Sequence, residues 1–131
     1  MPCEILVLDD DALICMASAD ALRAAGYAVA EAQSADAARA VLHRDHPRLL
    51  VADIDLGPDR HGKPGPTGLD VAADAHALLP DLAVIYATGR PRALAIHHFA
   101  VREAWLEKPF APAQLARLAH AMIGQPDPAP A

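Results

Sequence analysis

Four short apolar runs each lead into a residue able to do chemistry. Glu4-Ile5-Leu6-Val7-Leu8 runs into Asp9-Asp10-Asp11, Leu49-Leu50-Val51-Ala52 into Asp53, and Leu82 to Ala87 into Thr88; Ala104-Trp105-Leu106 is followed, one residue further on, by Lys108. Three carboxylates gathered at one edge repel, since two unit charges about 4 Å apart cost roughly 4 kcal/mol at an effective dielectric of 20. A divalent cation with oxygen ligands removes that penalty, and Mg²⁺ suits a few carboxylates, one carbonyl and waters. The same ion stabilises the charge on a transferring phosphoryl group. Lys108 brings a second positive charge to those oxygens, and the Thr88 hydroxyl can donate to one of them. A carboxylate is a competent phosphoryl acceptor. Asp53 falls between the metal-binding carboxylates and the cationic group, which makes it the acceptor of choice.

Such residues meet only if the scaffold gathers strand ends. Residues 12–25 carry Leu13, Ile14, Ala17, Ala21 and Leu22 at helical spacing and stop at Gly26. Ala28-Val29-Ala30 is a weak second strand, and Ser34 caps a helix from Ala35 to about His43, closed by Pro47. After the strand at 49–52, an irregular stretch from Gly57 to Gly68 holds four Gly and three Pro. Helix returns over 69–79 and ends at Pro80. A strand at 82–87, a short helix from about Arg92 to Phe99, a strand at 104–106 and a last helix over 112–123 complete the pattern. Strands that are apolar throughout and alternate with helices indicate a parallel sheet covered on both faces. In such sheets ligands bind beyond the carboxyl ends of the strands. Those ends carry Asp9-Asp10, Asp53, Thr88 and Lys108. The expected architecture is a single α/β domain over 1–123, followed by a disordered Pro-rich tail over 124–131.

Composition narrows the function. A chain of 131 residues, 53% hydrophobic but only 4% aromatic, builds its core from Ala, Val, Leu and Ile. A formal net charge of −6 argues against nucleic acid and anionic membrane as default partners. No apolar run is long enough to span a bilayer and no basic stretch precedes residues 4–8, so the expectation is a cytoplasmic protein, monomeric or weakly dimeric. Cys3 and Cys15 read as reduced, buried thiols. Asp10 or Asp11 also suits the cap of the first helix. The seven histidines show no ligand-like spacing: His97 and His98 diverge on a helix, and His43, His46, His61, His76 and His120 read as surface residues.

Taken together in this order, the motifs resemble the receiver domain of two-component response regulators over nearly the whole chain. Asp9-Asp10 is similar to the family's acidic pair, Asp53 in Val51-Ala52-Asp53-Ile54-Asp55-Leu56 to its phosphoacceptor, Thr88 to its hydroxyl residue, and Lys108-Pro109-Phe110 to its Lys-Pro-Phe signature. Each piece is common alone, and the set is specific. The resemblance implies a flavodoxin-like receiver fold, a doubly wound five-stranded parallel sheet flanked by five helices. It implies a Mg²⁺ site made by Asp10, Asp53 and the backbone carbonyl of Asp55, with Asp9 acting mainly through water. It also implies a cis Lys108–Pro109 bond and phosphoryl donation by a histidine kinase or histidine phosphotransfer protein. Phosphorylation would switch a face read by a downstream protein partner. Trp105 stands where the family places a switching aromatic, and packing explains it nearly as well. Asp55 either faces solvent or tunes the phosphoryl lifetime. Leu94, Phe99, Leu115 and Leu118 serve either as core or as an interaction face.

Two departures from the family pattern stand out. Gly68 comes fifteen positions after Asp53, which reads as an insertion over about 57–68, and the segment after Thr88 is compressed. Two other functions compete. One is a receiver-like docking module that is never phosphorylated. The other is a haloacid-dehalogenase-type phosphatase, suggested by Asp53-Ile54-Asp55; there the Asp-x-Asp motif belongs on the first strand and the acidic pair comes last, the reverse of the order here.

Overall fold

Period-two alternation along each strand sorts the core into two layers. Ile5, Val7, Leu49, Val51, Ala83 and Ile85 pack with Cys15, Ala19, Leu22, Leu115 and Ala119 on one side. Leu6, Leu8, Leu50, Ala52, Val84 and Tyr86 pack with Ala38, Leu42, Val71 and Ala75 on the other. Small alanines on the helices let them approach the sheet closely, which is how a chain poor in aromatics fills its interior.

The computed structural model describes residues 2–57, 62–63, 65–90 and 102–126. The elements are β1 (Ile5–Leu8), α1 (Ala12–Ala24), β2 (Val29–Ala32), α2 (Ala35–Asp45), β3 (Leu49–Asp53), α3 (Gly68–Leu78), β4 (Ala83–Thr88), β5 (Glu103–Glu107) and α4 (Pro112–Ile123). All strand pairs are parallel, in the order β2-β1-β3-β4-β5. This is the expected doubly wound sheet. Four of the five expected helices are present among the described residues; the one expected from Arg92 to Phe99 lies outside them, as do Leu94, His61, His97 and His98.

Local chemistry sets the boundaries. The Asp11 carboxylate accepts from the N–H groups of Leu13 (3.0 Å) and Ile14 (3.2 Å) and starts α1. Ser34 does the same for α2 through Ala37 N–H. That helix runs two residues beyond expectation, to Asp45, where His46 takes a left-handed conformation (φ 50°) ahead of Pro47. The second strand begins at Val29 and not Ala28, because the Ala28 N–H is taken by the Glu4 carboxylate at 2.9 Å. Thr67 and Asp70 form a reciprocal capping box at the start of α3. At the foot of the sheet Arg48 pairs with buried Glu4 at 3.3 Å and donates to the Ile123 carbonyl, and the Tyr27 hydroxyl donates to the Gly124 carbonyl.

Candidate functional site

The strand order reverses between β1 and β3, and a crevice opens beyond their carboxyl ends. Asp9 directly follows β1 and Asp53 is the last residue of β3, so both carboxylates meet in that crevice. Both are buried. Asp10 is exposed beside them, and carboxylate oxygens of Asp9, Asp10 and Asp53 lie within 4.8 Å of one another. The three consecutive aspartates divide their work: Asp9 faces inward, Asp10 lines the crevice, and Asp11 caps α1.

Lys108 closes the cluster. Its Nζ lies 2.7 Å from Asp9 Oδ2 and 3.2 Å from Asp53 Oδ1. Burial works against the Lys108 charge, yet the hydrogen bond to Asp9 and the two neighbouring carboxylates outweigh it and leave its pKa raised. The backbone places this lysine: its N–H donates to the Thr88 carbonyl at 2.8 Å, and the Lys108–Pro109 bond is cis. Asp53 is pushed up to about 7, first by burial and then by the charge of Asp9, with Lys108 pulling the other way. One lysine therefore does not balance the cluster.

Thr88 ends β4, fully buried, one residue beyond Ala87, the register partner of Asp53. Its Oγ1 accepts from the Arg90 N–H at 2.9 Å, which leaves the hydroxyl proton free to donate into the crevice. Asp55 is held by its own N–H on Asp53 Oδ1 at 3.3 Å, and its carboxylate is paired with the Arg90 guanidinium. Trp105 sits on β5 opposite Tyr86 and is 43% exposed. The Tyr86 hydroxyl donates to Glu103, the neighbour two residues before Trp105.

Two glycines complete the walls, and neither stands out in sequence from the other glycines of the 57–68 stretch. Gly57 adopts φ +73°, and a Cβ placed on it would lie 3.1 Å from Asp10 Oδ2. At Gly68 a Cβ would lie 2.2 Å from the Asp53 carbonyl oxygen, so only glycine lets α3 start this close to the acceptor. Arg90 is likewise invisible in the sequence, having no motif around it.

Three hard carboxylates, a bare glycine wall beside Asp10 and an uncompensated negative charge fit a small divalent cation such as Mg²⁺. We expect Mg²⁺ to raise the thermal midpoint, with a stabilisation of about 2.7 kcal/mol at a hundredfold excess over Kd. Asp10→Asn should shift that titration to higher Mg²⁺ while leaving the midpoint in chelator nearly unchanged. Equal Mg²⁺ responses in the two proteins, followed by differential scanning fluorimetry, would remove Asp10 from the site.

The fold is shared with known proteins. The chain superposes on the receiver domain of NtrX from Brucella abortus with a TM-score of 0.76 at 29% identity, covering 91% of this chain and 97% of that one. A CheY-like receiver domain protein from Methanospirillum hungatei gives a TM-score of 0.74 at 25% identity, over 92% and 93%. The chemotaxis protein CheY4 of Vibrio cholerae shares the fold, with a TM-score of 0.73 at 19% identity over 94% and 100%. No curated protein sequence is a significant match. The family model described as the response regulator receiver domain matches residues 5–120. With strand-end carboxylates, hydroxyl and lysine set on this sheet, the chain belongs to the response regulator receiver domain family.

Proposed function

We propose that this chain works as the receiver of a response regulator in a phosphorelay, with Asp53 as the phosphoryl acceptor. The observation that carries the reading is a buried Asp53 carboxylate lying among Asp9, Asp10 and Lys108 at the crevice of the sheet. An Asp53 oxygen forms the bond to phosphorus as the phosphorus–nitrogen bond to the donor's phosphohistidine breaks. The imidazole leaves with the electron pair and takes up a proton. Asp10, Asp53 and the Asp55 carbonyl, with Asp9 beside them, would hold a Mg²⁺ ion, which would supply positive charge toward the transferring group. Lys108 exchanges its carboxylate partners for a phosphoryl oxygen, and the Thr88 hydroxyl donates to another. Water later attacks phosphorus and returns the free carboxylate with inorganic phosphate. The protein is in this reading a signalling module and not a turnover enzyme.

The donor, a histidine kinase or histidine phosphotransfer protein, is read as docking beside the crevice. Leu13 (72% exposed) and Met16 (47%) project from α1, next to a cavity of about 420 Å³ lined by Ile14, Ala17, Pro109, Phe110 and Pro112. An exposed apolar patch of this kind marks a protein contact. Trp105 on β5 is the switch that reports phosphorylation to a downstream partner. No helix among the described residues is long and apolar enough to cross a membrane.

Incubation with Mg²⁺ and acetyl phosphate, followed by intact mass, tests the assignment. Wild type should gain one phosphoryl group and Asp53→Asn none. An adduct that persists in Asp53→Asn would sink the choice of acceptor. No adduct on wild type would favour a module that signals by docking alone.

A further inference from the structure

Helix α4 is held very differently at its two ends. At the foot, Arg48, itself paired with buried Glu4 at 3.3 Å, donates to the Ile123 carbonyl, and the Tyr27 hydroxyl donates to the Gly124 carbonyl. Side chains from two other segments thus satisfy carbonyls that a helix end leaves open. Pro126 lies against Gly26, where an added Cβ would meet its ring at 3.1 Å. In the middle of the helix, Leu115 and Ala119 are fully buried against the sheet. The crevice end has no such anchor. Ala111 precedes the helix and has no side-chain oxygen to offer the first turn, and Pro112, Ala113 and Gln114 are exposed. Across from that turn stands α1, with Ile14, Ala17 and Ser18 facing Pro109, Phe110 and Pro112 over the cavity of about 420 Å³. Among the described residues, the one hydrogen bond joining these two sides runs from Lys108 Nζ to Asp9 Oδ2, at 2.7 Å. Asp9 in turn accepts from the N–H of Asp11, the cap of α1, at 2.9 Å.

We propose, resting on Asp53 as the acceptor, that the Lys108–Asp9 bond is a tie between the two walls of this cavity and that phosphorylation releases it. Lys108 Nζ already stands 3.2 Å from Asp53 Oδ1, so a phosphoryl group on Asp53 brings dense negative charge beside the ammonium. Lys108 turns to a phosphoryl oxygen and gives up Asp9. The clasped foot of α4 and its buried middle stay in place. The first turn, with no side-chain cap of its own, loosens from α1. The wall made by Pro109, Phe110 and Pro112 then loses its fixed distance from Ile14 and Ala17. A donor protein seated across both walls before transfer loses part of its fit after it. The event that delivers the phosphoryl group therefore also releases the spent donor.

Hydrogen exchange followed by mass spectrometry tests the tie, on protein in Mg²⁺ with and without excess acetyl phosphate, the adduct being checked by intact mass. Phosphorylation should make the amides of residues 111–118 exchange about threefold faster or more, while those of 119–126 stay within error. Lys108→Ala without acetyl phosphate should show the fast first turn already. Asp9→Asn, which keeps an oxygen for the Asp11 N–H, should show part of the same change. Tyr27→Phe should speed exchange at 119–126 in both states and leave the response at 111–118 intact. No response at 111–118 in phosphorylated wild type would overturn the proposal. So would equal responses at both ends, which mean general loosening, or a response that Asp53→Asn reproduces in the same reagents. Absence of any adduct on wild type would instead overturn the acceptor assignment.

Discussion

Lys108→Ala is expected to destabilise the metal-free protein by about 3 kcal/mol at pH 8 and by less at pH 5. The lysine is the buried cation shared by Asp9 and Asp53, at 2.7 and 3.2 Å. Without it two buried carboxylates face each other uncompensated. The pH dependence follows from Asp53, whose pKa is raised in the fold to about 7, mainly by burial. A carboxyl raised in this way contributes stability that is complete below its unfolded pKa, near 4, and is lost as pH rises through about 7. Removing Lys108 takes away the attraction that favours ionisation and moves the folded pKa higher still. At pH 5 the variant keeps Asp53 neutral and loses only the pairing with Asp9; at pH 8 it must also bury the Asp53 charge or take up a proton. Denaturant titrations in chelator at the two pH values measure the difference, and Mg²⁺ should return part of the loss at pH 8. Equal losses at both would show that Lys108 acts through Asp9 and packing and not through the charge of Asp53.

Gly68→Ala should cost at least about 3 kcal/mol and also impair phosphorylation. A Cβ there would meet the Asp53 carbonyl oxygen at 2.2 Å, its carbon at 2.9 Å and Ile54 Cα at 3.1 Å, all backbone atoms that no rotamer can move aside. The Gly68 N–H also donates to the Ile54 carbonyl at 3.0 Å, fixing where α3 begins. Relief requires the end of β3 to shift, and Asp53 goes with it. A lowered denaturation midpoint together with reduced adduct formation is the expected pair of results. A variant that folds and phosphorylates like wild type would mean that the α3 start is free to slide.

Much of this was legible in the chain. Unbroken apolar runs at 5–8, 49–52 and 83–87 state a sheet buried on both faces, and the polar residue ending each run states where the site lies. The cap of α2 at Ser34 and the stop near Gly26 were readable from single residues. Other features depend on contacts across the chain. The pairing of Asp55 with Arg90, 35 residues on, has no local signature. Neither does the fit of Gly68 against Asp53, because a close approach of two backbones leaves no mark except a glycine among other glycines. The chain assigns Lys108 a positive charge for the phosphoryl oxygens, and the fold also pairs it with Asp9; burial of that carboxylate follows from tertiary packing alone.

The in-register pairing of Leu8 with Ala52 and of Asp53 with Ala87 bears on how such a chain can vary. Because side chains alternate faces, deleting or inserting one residue inside β1, β3 or β4 exchanges the two core layers and turns the terminal functional residue away from the crevice in the same stroke. Between Gly57 and Thr67 a change of length does neither. The frame of the strands is thus the heritable constraint, and the long segment beside the acceptor is where insertions and deletions can accumulate without erasing the chemistry.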